Sequence, residues 1–127
     1  MTKEGAVLEN AVPVLSVENV TEAVAYYRNV LGFAAGWTWG NPPTMANVCR
    51  DRVEINLATR GTAGPQGASC VYFHVKGIDD YFAECVRRGA RILSEIADQE
   101  YGMRDFDVVD PDGNTLCFGE SIFSDNG

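Results

Sequence analysis

A weak internal repeat, at an offset of 58 residues, constrains the fold of this chain more than any other feature. At that offset Val17 aligns with Val75, Val20 with Ile78, Val24 with Phe82 and Ala25 with Ala83. Any two amphipathic helices share apolar positions, so the weight of the match rests on the order of elements around it.

In the first half, residues 12–17 are largely apolar and read as a strand, with Pro13 at an edge or a strand start. Asn19 is a good N-cap, and Glu22 three residues later suits a capping box. Val20, Ala23, Val24, Tyr27 and Leu31 then recur at helical spacing, and Gly32 suits a left-handed stop. Short apolar stretches follow at 33–39, 45–49 and 53–57, split by turns at 40–43 and 50–52. Residues 60–69 hold three glycines, a proline and no bulky apolar side chain. The second half starts the order again with a strand at 70–75. Gly77-Ile78-Asp79-Asp80 opens a helix, with Ile78, Tyr81, Phe82, Cys85 and Gly89 on its buried stripe. Strands are predicted at 92–97, 106–109 and 115–118. The expected fold is therefore α+β. One domain spans residues 1–127, with tandem β-α-β-β-β modules at about 8–60 and 70–122 and a linker at 61–69. The modules form a curved mixed sheet that encloses a cleft.

Composition narrows the function. Of 127 residues, 46% are hydrophobic and 22% charged, as in ordinary globular chains. No apolar run reaches the length of a membrane-spanning helix. The first five residues lack the apolar core of a signal peptide, so a cytoplasmic location is expected. Eighteen acids against ten bases give a net charge of −8, with no basic run. That disfavours nucleic acid as a partner. An acidic surface steers and concentrates a cationic ligand, and equally serves solubility. Of the four cysteines, no two are spaced C-x-x-C, which argues against a zinc knuckle or a redox dithiol. Free thiols in small apolar roles are expected. No P-loop or dinucleotide glycine motif is present.

Two motifs carry a resemblance. One is Val14-Leu15-Ser16-Val17-Glu18-Asn19 leading into Ala25-Tyr26-Tyr27 and Leu31-Gly32-Phe33. The other is Tyr101-Gly102-Met103-Arg104-Asp105-Phe106 leading into Asp110-Pro111-Asp112-Gly113-Asn114. In the latter, Asp110 and Pro111 set a turn and Gly113 supplies the positive φ that closes it, so the motif marks the fold rather than the chemistry. Over roughly residues 11–122 the chain resembles the vicinal oxygen chelate superfamily. That superfamily holds glyoxalase I, extradiol dioxygenases, fosfomycin-resistance enzymes and bleomycin-resistance proteins. In its metal-dependent enzymes, four cleft-facing strand positions carry His, Gln or Glu around a divalent cation. The resemblance places those positions at Val12, Asn56, Cys70 and Cys117, with a possible slip of two residues. Valine cannot ligate, and one amide with two thiols does not suit Mg, Mn or Fe(II). The only histidine, His74, neighbours Val75 and is expected to point away from the cleft. No metal, cofactor or catalytic residue is therefore expected.

Within the superfamily the chain is most similar to the bleomycin-resistance proteins. The resemblance implies a homodimer whose groove sequesters a cationic, aromatic-containing compound without turnover. Trp37, Trp39, Tyr72, Tyr101, Phe106 and Phe118 are candidate aromatics, and equal parity lets Trp37 and Trp39 face one side. With Met103 added, the expected ligand-binding set is Val12, Trp37, Trp39, Asn56, Cys70, Tyr72, Tyr101, Met103 and Cys117. Asp110 and Asp112 serve the turn, while Asp105 and Asp107 alternate outward from Phe106 and Val108. Two other readings stand beside this one: a metal-dependent lyase, isomerase or dioxygenase with other ligands, and a binding domain for a different small molecule.

Overall fold

The computed structural model describes residues 5–59 and 67–123. Its first module runs β1 (Val14–Val17), α1 (Val20–Asn29), β2 (Ala34–Trp39), β3 (Met45–Arg50) and β4 (Val53–Thr59). The second runs β5 (Cys70–His74), α2 (Ile78–Arg87), β6 (Arg91–Asp98), β7 (Met103–Val109) and β8 (Thr115–Ser121). Most of the expected linker, up to residue 66, lies outside the described residues. Both helices have ten residues, and their starts keep the repeat offset read from the sequence.

Each module forms a four-stranded mixed sheet, ordered β1-β4-β3-β2 and β5-β8-β7-β6. The first and last strands of each module pair in parallel, and the other pairs are antiparallel. β1 starts at Val14, one residue after Pro13, which has no N–H to donate. The Pro13 carbonyl instead accepts from the Asn56 N–H at 2.9 Å. β7 starts three residues before its predicted start, because Met103, Arg104 and Asp105 pair with the C-terminal end of β8. Asn19 caps α1 as expected, its Oδ1 accepting from the Glu22 N–H at 2.9 Å. α2 is capped from a distance: Glu120 on β8 accepts from the N–H groups of Gly77 and Ile78. Gly89 lies beyond the end of α2 and is exposed, not part of its buried stripe.

One core serves both modules. Leu15, Val17, Val48, Ile55 and Leu57 meet α1 through Val20, Ala23 and Tyr27. Phe73, Phe106, Val108, Leu116 and Phe118 meet α2 through Ile78, Tyr81 and Cys85. Phe106 and Phe118 are therefore core residues and are withdrawn from the ligand-facing aromatics. Polar bonds join the modules around this core. The Tyr81 hydroxyl donates to the Leu31 carbonyl at 2.8 Å. Arg50 grips Glu84 through two nitrogens, at 2.8 and 3.1 Å. Tyr27 donates to buried Asp110 at 2.8 Å. Gly113, at φ 96°, closes the turn that presents Asp110 to the first module.

The buried acids fix a direction for pH dependence. Burial pushes the Cys85 thiol up to about 11, from an ordinary 9.0. Burial, then the Asp110 charge, holds the Tyr27 phenol well above its ordinary 10.0, and burial raises Tyr81 as well. Such groups ionise in the unfolded chain first, so stability present at neutral pH is lost as pH rises. The thermal midpoint, followed by circular dichroism, is expected to fall from pH 9 toward 11 and more steeply once phenols ionise. A midpoint that stays level across that range would contradict this account.

Candidate functional site

The face of each sheet opposite the core is open, and strand register decides what it carries. On the first sheet Val14 pairs with Asn56, Asn56 with Asn47, and Met45 with Trp39, so these side chains share the open face. Asn47 is buried there and donates from Nδ2 to Asn56 Oδ1 at 3.0 Å and to Glu54 Oε1 at 3.1 Å. Val12 lies two residues before β1 and is half-buried. Trp39 is 70% exposed at the end of edge strand β2. A register shift between Ala35 and Thr38 places Trp37 in a bulge, so equal spacing does not assign the two tryptophans to one side.

On the second sheet the open face carries Cys70, Tyr72 and His74 from β5, with Cys117 and Gly119 from β8. Met103, Asp105 and Asp107 from β7 share it. Two expectations are corrected here. His74 is opposite Gly119 and shares the face of Cys70, because residues 70, 72 and 74 have one parity. Asp105 faces away from Phe106, as alternation requires, yet it is only 5% exposed. Its Oδ2 accepts from the Tyr72 hydroxyl at 2.9 Å and from the Tyr101 hydroxyl at 2.5 Å. The bond to Asp105 lifts the Tyr101 phenol to about 12, while burial and the same carboxylate raise Tyr72. Both phenols therefore remain donors at neutral pH.

The site residues thus fall into two groups. Val12, Trp39 and Asn56 belong to the first module, as does Trp37 in its bulge. Cys70, Tyr72, Tyr101, Met103 and Cys117 belong to the second. The core faces of both sheets turn inward to the shared cluster, so the open faces look away from it. Sequence reasoning missed Asn47, whose available signal was one polar residue inside the otherwise apolar stretch 45–49, and gave Asp105 no role. A separate cavity of about 480 Å³ lies where the modules meet, lined by Phe33, Arg50, His74, Tyr81 and Glu84 among others. None of the nine expected site residues lines it.

The four expected ligand positions do not suit a hard divalent cation. Val12 has no donor, and Asn56 Oδ1 is already engaged by Asn47. Burial, then the neighbouring Asp107, raises the Cys117 thiol and keeps it protonated. Among the described residues no three His, Cys, Asp or Glu side chains converge as a metal-binding group.

Comparison with known proteins gives a family. A model described as "Glyoxalase/Bleomycin resistance protein/Dioxygenase superfamily" matches residues 11–118. No curated protein matches the sequence. Among solved structures, the chain is similar to TioX from Micromonospora sp. ML1, with a TM-score of 0.78 at 20% identity, over 90% of this chain and 100% of that one. A bleomycin-binding protein from bleomycin-producing Streptomyces verticillus, complexed with copper(II)-bleomycin, gives 0.73 at 22% identity, over 90% and 97%. A glyoxalase-related enzyme from Clostridium phytofermentans gives 0.77 at 20% identity, over 94% and 100%. At these identities the likeness is one of fold.

Proposed function

The chain belongs to the glyoxalase/bleomycin resistance protein/dioxygenase superfamily, and within it we propose a cytoplasmic small-molecule-binding protein that sequesters a cationic, aromatic-containing compound without turnover. A bleomycin-type antibiotic is the model ligand. One observation carries the reading: the open faces present exposed aromatics, Trp39, Tyr72 and Tyr101, around positions where Val12, Asn56, Cys70 and Cys117 make a poor metal site. Aromatic faces stack on flat rings and attract cations, and a net charge of −8 draws a cation in at low salt. The fold that this chain shares with a bleomycin-binding protein supports the same reading.

Two open faces that turn away from one core are joined into a single cleft by a second copy. The cleft is therefore formed in a homodimer, with one module from each chain. The residues before β1 support this, since Leu8 is 95% and Val7 55% exposed, leaving an apolar arm for the partner to cover. The test is tryptophan fluorescence during titration with bleomycin, on protein whose mass is measured by light scattering. Saturable quenching by a species of twice the 13.8 kDa chain mass is expected. Trp39→Ala should weaken binding about tenfold, or about 1.4 kcal/mol. Chemical conversion of the compound points to the metal-dependent lyase, isomerase or dioxygenase reading instead. Absence of binding at millimolar bleomycin excludes that ligand class.

A further inference from the structure

A buried carboxylate without a counter-ion is costly, and Asp105 is one. It is nearly inaccessible, and among the described residues no Lys, Arg or His forms an ion pair with it. Arg104, its neighbour in sequence, is committed to Asp79 and Asp98 instead. Both phenol bonds reach the same oxygen, Oδ2, and among the described residues no side-chain hydrogen bond is made to Oδ1. Two neutral donors stabilise the charge without cancelling it.

The surroundings hold this carboxylate in place just beneath the open face. Gly119, directly opposite on β8, has no side chain. A Cβ there would collide with the Tyr72 hydroxyl and come within 3.0 Å of the Asp105 Cβ. Tyr72 and Tyr101 remain 40% and 66% exposed, so each offers ring surface beside the acid. Asp107, two residues along β7, adds a second carboxylate to the same face. Negative charge held under exposed aromatic rings is the complement of an organic cation, which gains both the ion pair and the ring quadrupoles.

We propose that Asp105, with the rings of Tyr72 and Tyr101, is the subsite that receives the ligand's cationic group, an ammonium, amidinium or guanidinium. This rests on the reading of the open faces as the ligand site, and it names the residue that selects for charge. The rest of the ligand lies against the apolar and aromatic remainder of the cleft.

The probe pair is benzamidinium and its neutral near-isostere benzamide, which test the subsite whether or not bleomycin binds. Titrations followed by tyrosine difference absorbance are expected to show at least a tenfold preference of the native protein for benzamidinium. Asp105→Asn, nearly the same shape without the charge, should abolish that preference. Tyr101→Phe keeps the carboxylate and should retain the preference, while losing part of the absorbance change. Circular dichroism establishes that each variant is folded. Equal binding of the two probes to native protein would overturn the proposal. So would an undiminished cation preference in folded Asp105→Asn, which would leave the carboxylate as a structural tie for the two tyrosines. If Asp105→Asn does not fold, loss of the preference in Tyr101→Phe would overturn it as well. Failure of bleomycin to bind, with the benzamidinium preference intact, counts against the antibiotic and not against the subsite.

Discussion

Asp110→Ala is expected to lower stability by about 3–5 kcal/mol, an effect of the size seen when a buried charged partner is removed. The Asp110 carboxylate is buried and accepts four hydrogen bonds. Oδ1 takes the N–H groups of Asp112 and Asn114, each at 2.9 Å. Oδ2 takes the Tyr27 hydroxyl at 2.8 Å and the Asn114 side-chain amide at 3.0 Å. Alanine would leave these donors without their acceptor, at about 1–3 kcal/mol for each one that stays buried. The loss also crosses modules, because Tyr27 lies on α1 and Asp110 at the end of β7. In a domain of this size the change corresponds to a fall of roughly 10–20 °C in thermal midpoint. Tyr27→Phe removes one donor and should cost only about 1–2 kcal/mol. Unfolding in urea measures both. An Asp110→Ala cost no larger than that of Tyr27→Phe would show that the turn is not a joint between modules.

That joint explains which parts of the structure could be read in the sequence. Asp110-Pro111-Asp112-Gly113 announces a turn, because its residue types carry their own backbone preferences. Asn19 announces a helix start for the same reason. Such local signals, with apolar periodicity, were enough for the β-α-β-β-β order and for the position of both helices. Contacts between distant residues leave no such mark. Nothing near Gly77 shows that Glu120 caps α2, and nothing near Tyr27 shows that its hydroxyl meets Asp110. Phe106 and Tyr72 are both aromatic residues in strands, and only the register separates the core residue from the exposed one. The bulge in β2 had the same effect, since one extra residue between Ala35 and Thr38 breaks the parity that linked Trp37 to Trp39. The burial of Asp105 is a related case. Alternation gave its direction correctly, but its burial depends on Tyr72 and Tyr101 folding over it, which the missing side chain of Gly119 permits.

The two-sidedness of β7 leads to the other large effect. Phe106 is fully buried, and its ring lies 5.0 Å from Phe82, 5.5 Å from Phe118 and 6.2 Å from Tyr81, at the centre of the second module's core. Phe106→Ala removes that ring and leaves a cavity among three aromatic neighbours. Such changes cost about 3–5 kcal/mol, partly from lost apolar transfer and partly from the cavity itself. The rings around it come from α2 and β8, so they cannot close the gap without shifting the elements that carry them. Its neighbours Asp105 and Asp107 stand on the opposite face and belong to the proposed ligand surface. The strand therefore separates two roles that single substitutions can test. Phe106→Ala should lower the thermal midpoint by roughly 10–20 °C and, at a temperature where it remains folded, keep the preference for benzamidinium over benzamide. Asp105→Asn should do the reverse, losing the preference with a much smaller change in midpoint. If Phe106→Ala abolished the preference while circular dichroism still showed native structure, the two faces of β7 would be coupled and the separation drawn here would be wrong.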